Sequence, residues 1–256
     1  MPCRRTHHLR KPGSGFMMGG GPAEREAAPD CAVTLENVSK IHPGTNGPTA
    51  VLREFSLGVR KGRFCAVMGD ERASTTALLE CMAGVTTPST GTVHWADGGR
   101  GSVGALWGQH EPVHPNVTVR EFVDPGVSAL GRRQAWQISR VTRLWLWRRP
   151  LRRLGRVQQH NAMLARLLAG SPRLLLVDTP GHDDSPELAR AIGASLRRAV
   201  RALDLTAVLV TTDPEAAACA DSVVFLHHGR LADALGPSTP AEIADCLQHL
   251  RRGSTT

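Results

Sequence analysis

The chain has 256 residues, 41% of them hydrophobic, with 31 Lys and Arg against 23 Asp and Glu, a formal charge of +8. That length suits one large domain or a domain with a subdomain. The apolar content excludes a wholly disordered chain, and no apolar run approaches the roughly 18 residues of a spanning helix. Lys11, Lys40 and Lys61 are the only lysines, so arginine carries the positive charge, and tyrosine is absent.

Residues 1–30 are rich in Arg, His, Gly and Pro and lack an apolar stretch, so the Arg4-Arg5 pair does not make an export signal and the segment is expected to be a flexible tail. An alternative expectation is that translation starts at Met17 or Met18. The six cysteines, Cys3, Cys31, Cys65, Cys81, Cys219 and Cys246, include no C-x-x-C spacing and read as reduced, scattered thiols. Residues 32–38 alternate as a half-buried strand. A turn-rich stretch is expected at 42–48 and extended chain at 51–59. Residues 63–68 form a short apolar strand ending at Gly69, and 74–83 carry apolar residues at helical spacing. Strand, glycine, polar loop and helix is the layout of a phosphate-binding turn. A turn and strand are expected within 84–95 and a strand at 104–109, followed by helices from about 120 to 170. Residues 173–178 are a buried parallel strand closing on an acid. A helix at 186–201, a strand at 207–211, a short helix at 214–220, a strand at 223–226 and a C-terminal helix at 238–251 complete the pattern. Strands alternating with helices predict a three-layer α/β fold with a mostly parallel sheet.

Several fragments in this order resemble the ATP-binding subunit of ABC transporters: Val38-Ser39-Lys40-Ile41-His42-Pro43-Gly44, Ala83-Gly84-Val85-Thr86-Thr87-Pro88-Ser89-Thr90-Gly91, Pro115-Asn116-Val117-Thr118-Val119-Arg120-Glu121 and Ala165-Arg166-Leu167-Leu168-Ala169. The resemblance covers roughly 32–235, and the branch it looks most like serves lipoprotein release and macrolide export. It implies a P-loop NTPase fold with an inserted helical subdomain: a tail at 1–30, a nucleotide-binding domain at 31–240 with the helical part at about 110–160, and the end of a C-terminal helix with its tail at 241–256.

The phosphate loop of such proteins follows G-x-x-x-x-G-K-[ST]. The frame here is Gly69-Asp70-Glu71-Arg72-Ala73-Ser74-Thr75-Thr76, followed by Ala77. Ser74 stands for the second glycine and Thr75 for the lysine, while Thr76 keeps the hydroxyl that would bind Mg²⁺. Asp70 and Glu71 put negative charge beside a would-be polyanion, and Arg72 is the one candidate substitute cation. The resemblance makes Gln109 the glutamine that senses Mg²⁺, Asp178 the outer Mg²⁺ partner and His42 the ring that stacks on adenine. The signature segment, which would touch the γ-phosphate of ATP held by another subunit, is reduced to Leu154-Gly155-Arg156-Val157-Gln158. Thr179 stands where the general base would be and Thr212 where the switch histidine would be; the loop at 181–186 is altered too. Two of these losses are independent of alignment: no Lys follows Lys61, and no Glu lies between Glu121 and Glu187.

The resemblance therefore implies a pseudo-ATPase that binds ATP and Mg²⁺ weakly or not at all. It would associate with a transmembrane permease, or form a homo- or heterodimer with another cassette, at the cytoplasmic face of the plasma membrane. Nine arginines between Arg132 and Arg156, interleaved with Trp136, Trp145 and Trp147, suit a solvated helix face or a surface docking on that permease near anionic lipid. The alternatives are an active transport ATPase using Arg72, and a basic nucleic-acid-binding module.

Overall fold

The computed structural model describes residues 30–44, 47–96, 103–106, 116–127, 132–144, 148–179 and 186–253. Residues 1–29 of the predicted tail, Gln109, Trp145, Trp147 and the loop at 181–185 lie outside them.

Two antiparallel strands open the chain, β1 (Cys31–Gly44) and β2 (Gly47–Arg60). They are followed by β3 (Phe64–Gly69), α1 (Arg72–Ala83), β4 (Thr90–Trp95) and β5 (Val103–Leu106). A helical stretch holds α2 (Val119–Val127), α3 (Arg132–Thr142), a 3-10 turn (Leu151–Arg153) and α4 (Arg156–Ala169). The remainder alternates: β6 (Leu174–Asp178), α5 (Pro186–Leu203), β7 (Thr206–Val210), α6 (Pro214–Ala217), β8 (Ser222–His227), β9 (Arg230–Leu235) and α7 (Pro240–Gly253).

The strands form two sheets. A six-stranded sheet has the order β5-β6-β7-β3-β8-β9, parallel except for the β8–β9 hairpin. A three-stranded antiparallel sheet has the order β2-β1-β4. Side chains of a strand alternate between faces, and here that alternation divides the core in two. Phe64, Ala66 and Met68 of β3, Leu175 and Val177 of β6, and Val223 and Phe225 of β8 pack with α4, α5, α6 and α7. Cys65, Val67, Leu174, Leu176, Val224 and Leu226 pack with α1 and the small sheet. Strands with no polar face of their own read as continuous apolar runs, which is why β3, β6 and β7 are legible in the sequence.

The three-layer reading holds, with two corrections. The strands run further into the predicted turn at 42–48 than expected: His42 pairs with Thr49, Pro43 with Pro48 and Gly44 with Gly47, so the chain reverses between Gly44 and Gly47. Proline is tolerated there because the pairing is at the end of the ladder. β9 was not anticipated, since Arg230-Leu231-Ala232-Asp233-Ala234-Leu235 is short, polar and weakly alternating, and it is an edge strand placed by its hairpin with β8.

Candidate functional site

The carboxyl ends of parallel strands are where α/β sheets hold ligands. Four of them converge here: Gly69 ends β3, Asp178 ends β6, Val210 ends β7 and His227 ends β8. Backbone bonds knit the loops that leave them. The Thr179 N–H donates to the Val210 carbonyl (3.1 Å) and the Thr211 N–H to the Val67 carbonyl (3.1 Å). Gly69, Arg72, Ser74, Thr75, Thr76, Ala77, Asp178, Thr179 and Thr212 all belong to this edge or to the first turns of α1 behind it.

The loop after β3 is shorter than expected. α1 begins at Arg72, two residues ahead of the predicted start, and leaves only Asp70 and Glu71 between strand and helix. Glu71 is the N-cap residue, and its carbonyl accepts from both the Ser74 N–H and the Thr75 N–H (3.2 Å each). The Ser74 hydroxyl donates to Glu71 Oε2 (3.0 Å) and the Thr75 hydroxyl to the Arg72 carbonyl (3.0 Å). Ser74 and Thr75 are buried, and the Thr75 methyl lies over Gly69, so close that a Cβ there would sit 2.5 Å from it. The Ser74 and Thr75 amides and hydroxyls are thus all used within the loop, cap and helix.

Asp178 is half-buried, and burial raises its carboxyl above the ordinary range, with the Arg72 charge pulling it back down. Arg72 is thus the cation whose charge acts on the acid at the end of β6. Thr179 has its hydroxyl donating to the Val210 carbonyl (2.9 Å), so this side chain ties β6 to β7. Thr212 is exposed, and its neighbour Thr211 is buried with its hydroxyl accepting from the Asp213 N–H (3.1 Å).

A magnesium ion takes oxygen donors, and Thr76 and Asp178 supply two at this edge. A polyphosphate needs backbone N–H groups turned outward as a nest. The amides of Ser74 and Thr75 turn inward to Glu71, and two carboxylates, Asp70 and Glu71, stand at the mouth. The residues present fit the cation in part and do not fit the phosphates.

The other predicted residues lie on different elements. His42 is half-buried in the small sheet opposite Thr49. Leu154 is buried after the 3-10 turn, and Gly155 is the N-cap of α4 with open space around it. Arg156, Val157 and Gln158 are exposed in the first turn of α4, which carries no acidic residue. Arg140, Arg143, Arg148, Arg149, Arg152 and Arg153 are exposed, and the Arg140 guanidinium lies 4.7 Å from the ring centre of the exposed Trp136.

Two residues were missed. His227 ends β8 and His228 opens the turn to β9, and their side chains reach Asp70 and Glu71. The available signal was the His-His-Gly run closing an apolar strand, a composition that favours a hairpin tip.

Residues 52–182 match the family profile of the ABC transporter. An aliphatic sulfonates import ATP-binding protein SsuB 1 of Burkholderia cenocepacia is 34% identical over 213 residues, covering 80% of this chain and 64% of that protein. SsuB of Burkholderia pseudomallei is 33% identical over 233 residues, 85% of this chain and 67% of the relative. The sulfate/thiosulfate import ATP-binding protein CysA of Thermosynechococcus vestitus is 28% identical, covering 83% and 66%. The chain thus spans about two thirds of the length of these relatives. The solved cbiO1 of Clostridium perfringens, part of an ABC transporter complex, superposes with a TM-score of 0.71 at 19% identity over 87% of this chain and 94% of that one. An ATP-binding cassette in its ADP conformation, MJ1267, gives 0.72 at 16% identity over 87% and 99%. These two show the shared fold.

Proposed function

The chain belongs to the ABC transporter family of ATP-binding subunits, and from that premise we propose that it is a pseudo-ATPase that serves a transmembrane permease as a scaffold. The observation that carries this reading is the closed loop: the Ser74 and Thr75 amides both bond the Glu71 carbonyl, and the Thr75 methyl covers Gly69. The loss of one preorganised donor at a developing charge costs roughly 3–4 kcal/mol of transition-state stabilisation. Thr179 cannot replace a carboxylate base, a contribution of about 10²–10⁴-fold, and its hydroxyl is held by Val210. In this reading these losses together hold hydrolysis far below that of an intact cassette.

The named relatives are importers, so import is the direction their names support, and they lend nothing to the lipoprotein-release and macrolide-export branch. The permease would meet the exposed arginines of the helical layer, and a second cassette would complete a dimer. In this reading the protein works in the cytoplasm against the inner face of the plasma membrane; no helix among the described residues is long and apolar enough to cross one.

A second reading, an active subunit using Arg72 as its phosphate cation, is favoured by the pull of Arg72 on the Asp178 carboxyl. Titration of the purified protein with Mg-ATP, with phosphate release followed in parallel, separates the two. The pseudo-ATPase shows weak or no binding and no turnover above the buffer rate. Turnover comparable to an intact cassette, abolished by Arg72→Ala, would overturn it.

A further inference from the structure

The two histidines at the end of β8 carry an inference outside the family's chemistry. β3 and β8 are parallel neighbours with Gly69 paired to Leu226, so the next residues, Asp70 and His227, leave the sheet side by side. Their side chains meet, the Asp70 carboxylate on His227 Nδ1. His228 follows in the hairpin tip, its ring centre 4.1 Å from that of His227. One ligand atom from each of Asp70, His227 and His228 lies within 4.8 Å of the other two.

The tip is held rigidly. His228 and Gly229 both have positive φ (47° and 73°), the geometry of a tight type I′ hairpin. The Arg53 N–H donates to the Gly229 carbonyl (2.8 Å), and a Cβ on Gly229 would lie 2.6 Å from the Val51 carbonyl oxygen. Behind the cluster, Glu71 Oε1 lies 2.9 Å from His228 Nδ1, while its Oε2 accepts from Ser74. A carboxylate on the second nitrogen of an imidazole is the usual outer partner of a metal-bound histidine, fixing its tautomer and orientation.

We propose that Asp70, His227 and His228 bind one zinc ion, with Glu71 as the outer-shell partner of His228. Two imidazoles and a carboxylate suit zinc, whereas magnesium selects oxygen donors. Three protein ligands leave the fourth tetrahedral position to water. The ion would join the β8–β9 turn to the loop after β3 and hold that loop closed by a second means besides the bonds to Glu71.

The test uses the full chain carrying His7→Gln and His8→Gln, so that the histidine pair near the N-terminus does not compete. Zinc is titrated against a chromophoric chelator, and cobalt is titrated as a visible-absorption probe. One equivalent of each should bind, cobalt giving tetrahedral d–d bands without a thiolate charge-transfer band. Asp70→Asn and His228→Gln should each weaken zinc by at least the roughly 10–100-fold seen for a lost outer-shell partner. The His228 side chain is 63% exposed, so His228→Gln retains the parent fold, checked by its melting temperature in chelator. Zinc binding no tighter than magnesium, binding indifferent to both variants, or a thiolate band marking the cysteines as ligands would each overturn the proposal.

Discussion

At the scale of single residues, Asp178 is the most exposed to test, because its chemistry works against the fold. An aspartate in the unfolded chain titrates near 3.9. In the fold its carboxyl is raised, by burial first, with Arg72 opposing. The folded state then holds more protons than the unfolded state between the two pKa values, so this group's contribution to stability falls as pH rises through that window. Above that window the raised carboxyl costs the fold stability. Asp178→Asn should therefore be more stable than the parent at pH 7 in magnesium-free buffer, and the advantage should vanish below about pH 3.9. Urea midpoints at the two pH values measure it; a variant less stable at pH 7 would show that the carboxylate is held by contacts that favour its charge. A residue kept at a cost to stability is a mark of a functional position, and Asp178 was legible in the sequence because an acid closing an apolar strand has nowhere to sit but the sheet edge. Glu71 was legible only as an unfavourable charge. That its carbonyl and carboxylate would close the loop depends on α1 starting at Arg72, and a helix start cannot be fixed to within two residues when no Ser, Thr, Asp or Asn cap precedes it with a glutamate three positions on.

At the scale of elements, the apolar strands β3, β6, β7 and β8 were predicted where they lie, because burial on both faces leaves a run that only a central strand satisfies. The small sheet was legible as strands and not as a separate layer: β1 pairs with β4 across irregular register, and nothing local in either strand encodes that partner. β9 was missed for a different reason: its six residues are polar and weakly alternating, and its hairpin with β8 is what places it. The junction of α5 and α6 offers a quantitative check on how closely such elements pack. Gly193 lies inside α5 and is buried, and a Cβ there would stand 2.7 Å from the Ala216 carbonyl oxygen and 2.9 Å from Cys219 Sγ. Alanine in place of glycine gains about 1 kcal/mol of helix propensity. Forcing a methyl against backbone costs about 1–3 kcal/mol, and the closer obstacle here is a carbonyl that cannot rotate aside. The steric term should win, so Gly193→Ala is expected to lower the urea midpoint without changing the slope of the transition. A raised midpoint would mean that α6 gives way freely.

At the scale of the whole molecule, charge and the N-terminus of α4 decide how two copies meet. The family resemblance implies that a dimer forms when the signature segment of one cassette contacts the γ-phosphate of ATP held by the other, so the nucleotide supplies anionic charge between two surfaces. Here the segment presents exposed Arg156 and Val157 in place of glycines, and in the loop after β3 the Ser74 and Thr75 amides are spent on the Glu71 carbonyl. Each copy also carries a net charge of +8. With the anion absent from the interface, that charge opposes association at contact distance, inside the roughly 8 Å screening length of physiological salt. Sedimentation velocity in about 0.15 M salt should find the same monomer with and without Mg-ATP. Raising the salt removes repulsion but supplies no bridging phosphate, so it should leave the chain monomeric as well. A dimer that appears with Mg-ATP and dissolves when the nucleotide is removed would show that the loop opens to take phosphate. In that event Arg72 and Arg156, the cations flanking the two halves of such a site, would be the residues to substitute next.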